Sequence, residues 1–241
     1  MITQKTTPNQ MERKDKDGKV WIPDVMVYHI ADGTYTGTIS WAQLASSFVS
    51  SHFVIAKNGR ITQLVPLHMA AYTQGLNYNS TGKTPMPIQS ASRLVRVRAV
   101  NPNCYCISIE FEGFYADFYS NGVLQYQGCK GAITEEQITA AVEVEQYCNE
   151  QLKSIYGKSA GIPADREHHM GHCEINPINR PHCPGELFPY DEILNRIVSP
   201  ANTETKTIYR VQTGAFSNKA NAEKLAAELQ NKGYQTIIKS E

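Results

Sequence analysis

Four apolar residues in a row, Val25-Met26-Val27-Tyr28, lead directly into a histidine, His29. A short, nearly uninterrupted apolar run is the pattern of a strand buried on both faces. Such a strand obliges the rest of the chain to cover each side of a sheet, and the sequence offers the means. Residues 53–57 and 60–65 flank Asn58-Gly59, the preferred two-residue hairpin turn, because both positions accept positive φ. Residues 106–113 read as a further strand, with Ile107, Ile109 and Phe111 on one face and Ser108, Glu110 and Glu112 on the other. Thr134-Glu135-Glu136-Gln137 is a capping box that opens a helix. Ile138, Ala141, Val142, Cys148, Leu152 and Ile155 form its buried stripe, which ends near Gly157. Residues 40–45 read as a short helix, and 90–97 hold a helical turn inside an otherwise loop-like stretch from 77 to 102. The first two dozen residues are polar and are expected to wrap the surface. Strands separated by helices predict an α/β domain built on a central mixed β-sheet flanked by helices.

This domain is expected to span residues 1–198, with a loose linker at 199–206. Residues 207–241 then read as a small βαβ piece: a strand at 207–216, a helix capped by Ser217 with Ala222, Leu225, Ala226 and Leu229 on one face, and a strand at 234–238 after Gly233. That piece is too small to bury a good core alone. Lys+Arg and Asp+Glu both number 23, so the formal charge is zero and no electrostatic case exists for nucleic acid or an anionic membrane as partner. No apolar run approaches the ~20 residues of a membrane span. The N-terminus lacks the apolar core of a secretory signal. The six cysteines are irregularly spaced, without a CxxC pair, and read mostly as reduced thiols.

Four of the seven histidines, His168, His169, His172 and His182, fall in one short segment that also holds Cys173 and Cys183. Imidazole and thiolate are ligands that zinc prefers, and a catalytic zinc takes three protein ligands. Two ligands from this segment and a distant third, His29, would make an open site. By residue type alone, a histidine such as His29 is more often a hydrogen-bonded structural residue, and the His/Cys segment reads equally as a structural metal site.

The motifs also occur in a telling order. A strand ends in His29; Ser51-His52-Phe53-Val54-Ile55 follows, with Asn58-Gly59-Arg60-Ile61 and Gln63-Leu64-Val65-Pro66. Then come Ile107-Ser108-Ile109-Glu110-Phe111-Glu112-Gly113, Gly171-His172 and Cys183-Pro184-Gly185. Over residues 20–195 this resembles the type-2 N-acetylmuramoyl-L-alanine amidases, the family of phage lysozyme-like amidases and peptidoglycan recognition proteins. The resemblance implies the family's mixed sheet flanked by helices, one catalytic Zn2+ held by His29, His172 and Cys183, and bacterial peptidoglycan as substrate. It makes Glu110 the base that takes a proton from the attacking water, with Glu112 a support residue on the same face. Tyr72 falls where the family often has an aromatic lining the substrate groove, although a core aromatic is an equal reading, and His52 and Glu112 join it among substrate-binding candidates. Family members often carry a lysine two residues before the third ligand; Pro181 stands there, and Arg180 is the candidate to steady the oxyanion instead. Cys173 reads as a small residue packed behind the site.

Residues 207–241 resemble the first half of a sporulation-related (SPOR) domain, a family that binds glycan strands stripped of stem peptides. The chain is short there, has been cut, or pairs with a second copy into a homodimer. With no signal sequence, the resemblance implies a phage or prophage endolysin that stays in the cytoplasm until released to the wall. The alternatives are an intracellular wall-recycling amidase and a non-catalytic peptidoglycan-recognition protein. Filled ligand positions favour catalysis.

Overall fold

The computed structural model describes residues 1–76, 87–199 and 213–232, together with 236 and 238. The strands are β1 (Ile2–Gln4), β2 (Gln10–Glu12), β3 (Val25–Ile30), β4 (Phe53–Ile55), β5 (Ile61–Gln63), β6 (Met69–Ala71), β7 (Cys106–Phe111), β8 (Phe118–Ser120), β9 (Val123–Tyr126) and β10 (His169–Gly171). The helices are α1 (Tyr35–Gln43), α2 (Arg93–Arg98), α3 (Glu135–Tyr156), α4 (His172–Ile175), α5 (Tyr190–Val198) and α6 (Lys219–Asn231). A six-stranded mixed sheet runs in the order β1-β5-β4-β7-β3-β10; β4 and β5 are antiparallel and the other neighbours parallel.

All six residues of β3 are buried, as its apolar run requires. Met26, Tyr28 and Ile30, with Ile107, Ile109 and Phe111 of β7, pack under Ile138, Ala141, Val144, Cys148 and Leu152 of α3 and Ile193 of α5. Val25 and Val27 face the other way, into a cluster with Val95 of α2, Met170 and Ile175. Ile39 and Ala42 of α1 cover Val54 and Leu64. Ile155, expected on the stripe of α3, is 44% exposed in the helix's last turn.

The N-terminal segment does more than wrap the surface. It adds β1 to the edge of the sheet beside β5 and pairs β2 with β6. It also buries Arg13, whose guanidinium donates to the carbonyls of Leu67, Cys104 and Cys106. The first helix begins at Tyr35, capped by Thr34, five residues ahead of the expected start. The Asn58-Gly59 turn also differs from expectation. Ala56 N donates to Arg60 O and Gly59 N to Ala56 O, both at 2.9 Å, so Lys57-Asn58-Gly59 is a three-residue loop. Only Gly59 (φ +78°) has positive φ there, the arrangement of a type I turn closed by a G1 bulge.

The chain divides into two compact units, Met1–Asn202 and Thr203–Glu241. In the second, Asn218 rather than Ser217 caps α6, and Ala222, Leu225, Ala226 and Leu229 are half-buried along one stripe. The strands expected at 207–216 and 234–238, and most of the linker, lie outside the described residues. Among the described residues no helix is long and apolar enough to cross a membrane.

Candidate metal centre and active-site cleft

β3, β7 and β10 run parallel, so their carboxyl ends share one edge of the sheet, where open α/β sheets bind ligands. His29 is the penultimate residue of β3, Glu110 the penultimate residue of β7, and His172 directly follows β10. Register sets His29 opposite Glu110. Because side chains alternate along a strand, turning Tyr28, Ile109 and Phe111 toward α3 leaves His29 and Glu110 together on the opposite face.

The structure brings His29, His172 and Cys183 together: one donor atom of each lies within 4.8 Å of the others. The two imidazole centroids are 4.4 Å apart, and Glu110 Oε1 lies 3.8 Å from His29 Nδ1. Cys183 comes from a loop tied to α4 by Cys173 N, which donates to Cys183 O at 2.7 Å. Gly185 has φ +127°, and a Cβ there would collide with the Lys130 carbonyl, so the glycine of the Cys-Pro-Gly run is a backbone requirement.

These donors fit a zinc ion. His172 Nε2 is 3.2 Å from the carbonyl oxygen of Gln74. A carbonyl only accepts, so Nε2 carries the proton and the Nδ1 lone pair is free for a metal. His29 Nε2 and Glu110 Oε2 are buried without a hydrogen-bond partner, a cost that protein interiors rarely leave standing. Burial, reinforced by Arg180, pushes the His172 pKa down to about 4 against the pull of the Gln74 carbonyl. Burial, then His172 and Arg180, holds His29 well below its ordinary range. Both rings are therefore neutral at neutral pH, as metal ligation demands. Burial and then Glu110 push the Cys183 thiol up; a cation draws out the thiolate that the protein alone holds protonated. Two imidazoles and a thiolate form the three-donor set of an open zinc site. Glu110 itself is pushed up to about 8 by burial and then by Asp32, with Arg180 opposing.

A cleft of about 710 Å³ opens over this centre. One contiguous stretch of wall holds Asp32, Tyr115 and His182: Tyr115 N donates to Asp32 Oδ1 at 2.7 Å, and the Tyr115 ring stacks on His182 at 5.2 Å. Arg180 lines the cleft nearby in sequence and exposes its side chain. Another stretch holds Trp41, Val49, Ser50, Tyr72 and Thr73. Tyr72 thus lies on the cleft wall.

Two candidates lie elsewhere. His52, expected to bind substrate, is instead 1% exposed behind the wall, with Nε2 at 2.7 Å from Arg13 and Nδ1 at 3.1 Å from Ser108 Oγ, because its side chain points into the protein. Glu112 lies beyond the end of β7, where its carboxylate accepts from Lys57 N and holds the hairpin loop. The clustered histidines likewise part company. His168 pairs with Asp165, His169 is buried against Glu145, and His182 stays exposed on the wall. The six cysteines are free thiols. Sequence reasoning passed over Gln74, whose contribution is a carbonyl that any residue carries. It also passed over Asp32, although Asp32-Gly33, separated from the end of β3 by one residue, signals a turn, and Asp32 does take φ +47°.

The profile of the family described as N-acetylmuramoyl-L-alanine amidase matches residues 19–186, and that of the SPOR domain matches residues 205–241. N-acetylmuramoyl-L-alanine amidase A of Achromobacter lyticus is 41% identical over 59 residues, which are 24% of this chain and 33% of that protein. The match thus spans about a third of that relative's length. Among solved structures, the complex of the amidase AmiD from E. coli with anhydro-N-acetylmuramic acid-L-Ala-D-gamma-Glu-L-Lys is 20% identical, with TM-score 0.49, over 78% of this chain and 65% of that one. The selenomethionine derivative of AmpD is 20% identical, with TM-score 0.47, over 80% and 92%. PlyL is 15% identical, with TM-score 0.47, over 82% and 96%. With more than half of its length matched by the one family profile, the chain belongs to the N-acetylmuramoyl-L-alanine amidase family.

Proposed function

We propose that the chain hydrolyses the amide between N-acetylmuramic acid and L-alanine of peptidoglycan, using one zinc ion held by His29, His172 and Cys183. The observation that carries this is the convergence of those three donors with Glu110, at 3.8 Å from His29, on the floor of an open cleft. When bound, zinc supplies Lewis acidity, polarising the carbonyl and lowering the pKa of water. The protein supplies the rest. Glu110 takes the proton of the attacking water and returns it to the departing alanine nitrogen; burial brings its carboxyl into the pH range where a group serves as base and then as acid. Arg180, whose positive charge is felt at Glu110, His29 and His172, offers a fork of donors to the oxyanion where the family often has lysine. Tyr72 on the wall contacts the substrate.

The wall-directed role of an endolysin is supported by the SPOR-matching segment at 205–241, and pairing of two such segments would make the protein a homodimer. Loss of turbidity in Gram-positive cells, against activity confined to soluble muropeptides, separates this role from wall recycling.

The test of the reaction is release of peptide amino termini from purified wall, with metal content measured beside it. The expected result is one zinc per chain. Cys183→Ser should lose both metal and activity, whereas Glu110→Gln should keep the metal and lose on the order of 10²–10⁴-fold in rate. A metal-free wild-type protein, or one that releases no peptide, would sink the proposal.

A further inference from the structure

The end of α1 and its connection to β4 expose four large apolar side chains to solvent. Trp41 is 56% exposed, Leu44 48%, Phe48 74% and Val49 40%. Trp41 and Val49 line the cleft, and Leu44 and Phe48 lie between them in the sequence. The position of Trp41 on α1 follows from helical spacing. Ile39 and Ala42 turn into the core, which directs Thr38 and Trp41 toward the cleft.

The patch is also held rigidly, in a conformation that its own residues disfavour. Phe48 has φ +53° and ψ +26°, the left-handed region that a bulky side chain rarely enters. Strain of this kind persists only where the surroundings over-determine it, and it points to function. Here the surroundings are visible. The buried amide of Asn9 donates to Ala42 O, Leu44 O and Ser47 Oγ at 2.9–3.0 Å. Thr7 Oγ1 donates to Ala42 O as well, and Ser50 Oγ donates to Asn9 O. The N-terminal segment therefore pins the connection from behind, while its apolar side chains face water. A single exposed apolar residue needs no explanation, but a pinned group of four, two of them lining a cleft, does.

We propose that Trp41 and Phe48 form a stacking platform for sugar rings of the glycan strand, which fixes the direction in which the substrate lies in the cleft. The inference rests on the amidase reading and deepens it. A pyranose presents a face of C–H groups that packs on an aromatic ring, as an apolar surface does. The stem peptide is the poorer fit, because a γ-linked glutamate of the kind in the AmiD complex carries a free carboxylate. Trp41, Leu44, Phe48 and Val49 offer it no cation. Among the described residues lining the cleft, the basic side chains are Arg180 and the histidines. The glycan accordingly runs over the Trp41 patch and the peptide toward Arg180.

Position 48 makes the idea testable against a structural role. Phe48→Gly relieves the left-handed strain, so thermal stability should hold or rise. Loss of the platform should instead weaken glycan binding on the order of three- to tenfold. The chain has two tryptophans, Trp21 and Trp41, and none in the SPOR-matching segment. A Trp21→Phe protein therefore reports Trp41 alone, even if that segment also binds glycan. Its emission is titrated with soluble N-acetylglucosamine–N-acetylmuramic acid oligomers lacking peptide, and separately with free stem peptide. The oligomers should shift the emission and the peptide should not; adding Phe48→Gly should raise the oligomer Kd. On glycan-linked substrate, Trp41→Ala should raise KM with kcat little changed.

A response to peptide alone, no response at all, or an unchanged Kd in Phe48→Gly would overturn the proposal. So would an emission shift that follows protein concentration, which would make the patch a self-association surface. If oligomers shift Trp41 but no peptide is released from the wall, the platform stands and the hydrolytic reading fails. If peptide is released with Trp41 silent, the reverse holds.

Discussion

His52 shows how far one residue's chemistry depends on a partner that no local pattern announces. Its Nε2 lies 2.7 Å from the Arg13 guanidinium and 3.1 Å from the Met69 carbonyl. Its Nδ1 accepts from Ser108 N at 3.1 Å and lies 3.1 Å from Ser108 Oγ, and Ser108 Oγ lies 2.9 Å from Thr73 Oγ1 on the cleft wall. Burial, and after it Arg13, hold the His52 pKa well below 6.5. The sign of the pH effect follows. The unfolded chain takes up a proton near pH 6.5 that the folded chain refuses, so this contribution is complete above pH 6.5 and is lost as pH falls below it. Each pH unit below that point costs roughly 1.4 kcal/mol. Urea unfolding of the chelated protein at pH 7.5, 6.0 and 5.0, beside His52→Gln, should show the variant's stability falling more gently by one proton's slope. Parallel curves would show that His52 takes up its proton in the folded protein. The metal-site histidines add to the slope in both proteins and cancel in the comparison.

At the scale of elements, the hairpin loop and the start of α3 form one joint. Thr134 caps α3 in the reciprocal box with Gln137 that its sequence announces, and its hydroxyl also donates to Lys57 O at 2.7 Å. Lys57 N donates to Glu112, and a Cβ on Gly59 would sit 3.0 Å from Glu136 O. Thr134→Ala should cost about 1 kcal/mol for the cap, and Gly59→Ala at least about 1 kcal/mol for a side chain at φ +78°. Because each change loosens the same joint, a double-mutant cycle by urea denaturation should give a coupling of at least ~0.5 kcal/mol; simple additivity would mean that the two ends are independent. The same joint marks what a sequence can disclose. The capping box and the buried β3 are legible because their signals are local. The turn at Asn58-Gly59 is legible as a turn but not in its length, since the loop is shaped by its seat on α3. β1 and β2 leave no apolar period to read, because an edge strand joins a sheet through its backbone. In the site, His29, His172, Cys183 and Glu110 stand out by residue type and order. Asp32, the Gln74 carbonyl and the inward turn of His52 follow from chain packing across long separations.

Over the whole molecule, the proposed zinc site would make metal binding and folding one equilibrium. All three donors lie in the unit Met1–Asn202, and they come from β3, the start of α4 and a distant loop, so the set exists only when the sheet is formed. An ion that binds the folded state alone stabilises it by RT ln(1 + [L]/Kd), about 4 kcal/mol at a thousandfold excess over Kd. For a unit of this size that corresponds to roughly 8–16 °C in Tm, at about 2–4 °C per kcal/mol. A chain of two units need not melt in one step, and the effect has an address: zinc should raise only the transition of the larger unit. Cys183→Ser should abolish most of the rise while leaving the chelated protein's Tm nearly unchanged, because without a cation the thiol is held protonated and makes only a weak contact with Ile30 O at 4.0 Å. Calorimetry with and without chelator, on both proteins, measures all four quantities. A zinc shift that survives Cys183→Ser intact would place the ion on other residues, and a shift of the smaller unit's transition would mean that the metal reaches donors outside the sheet edge.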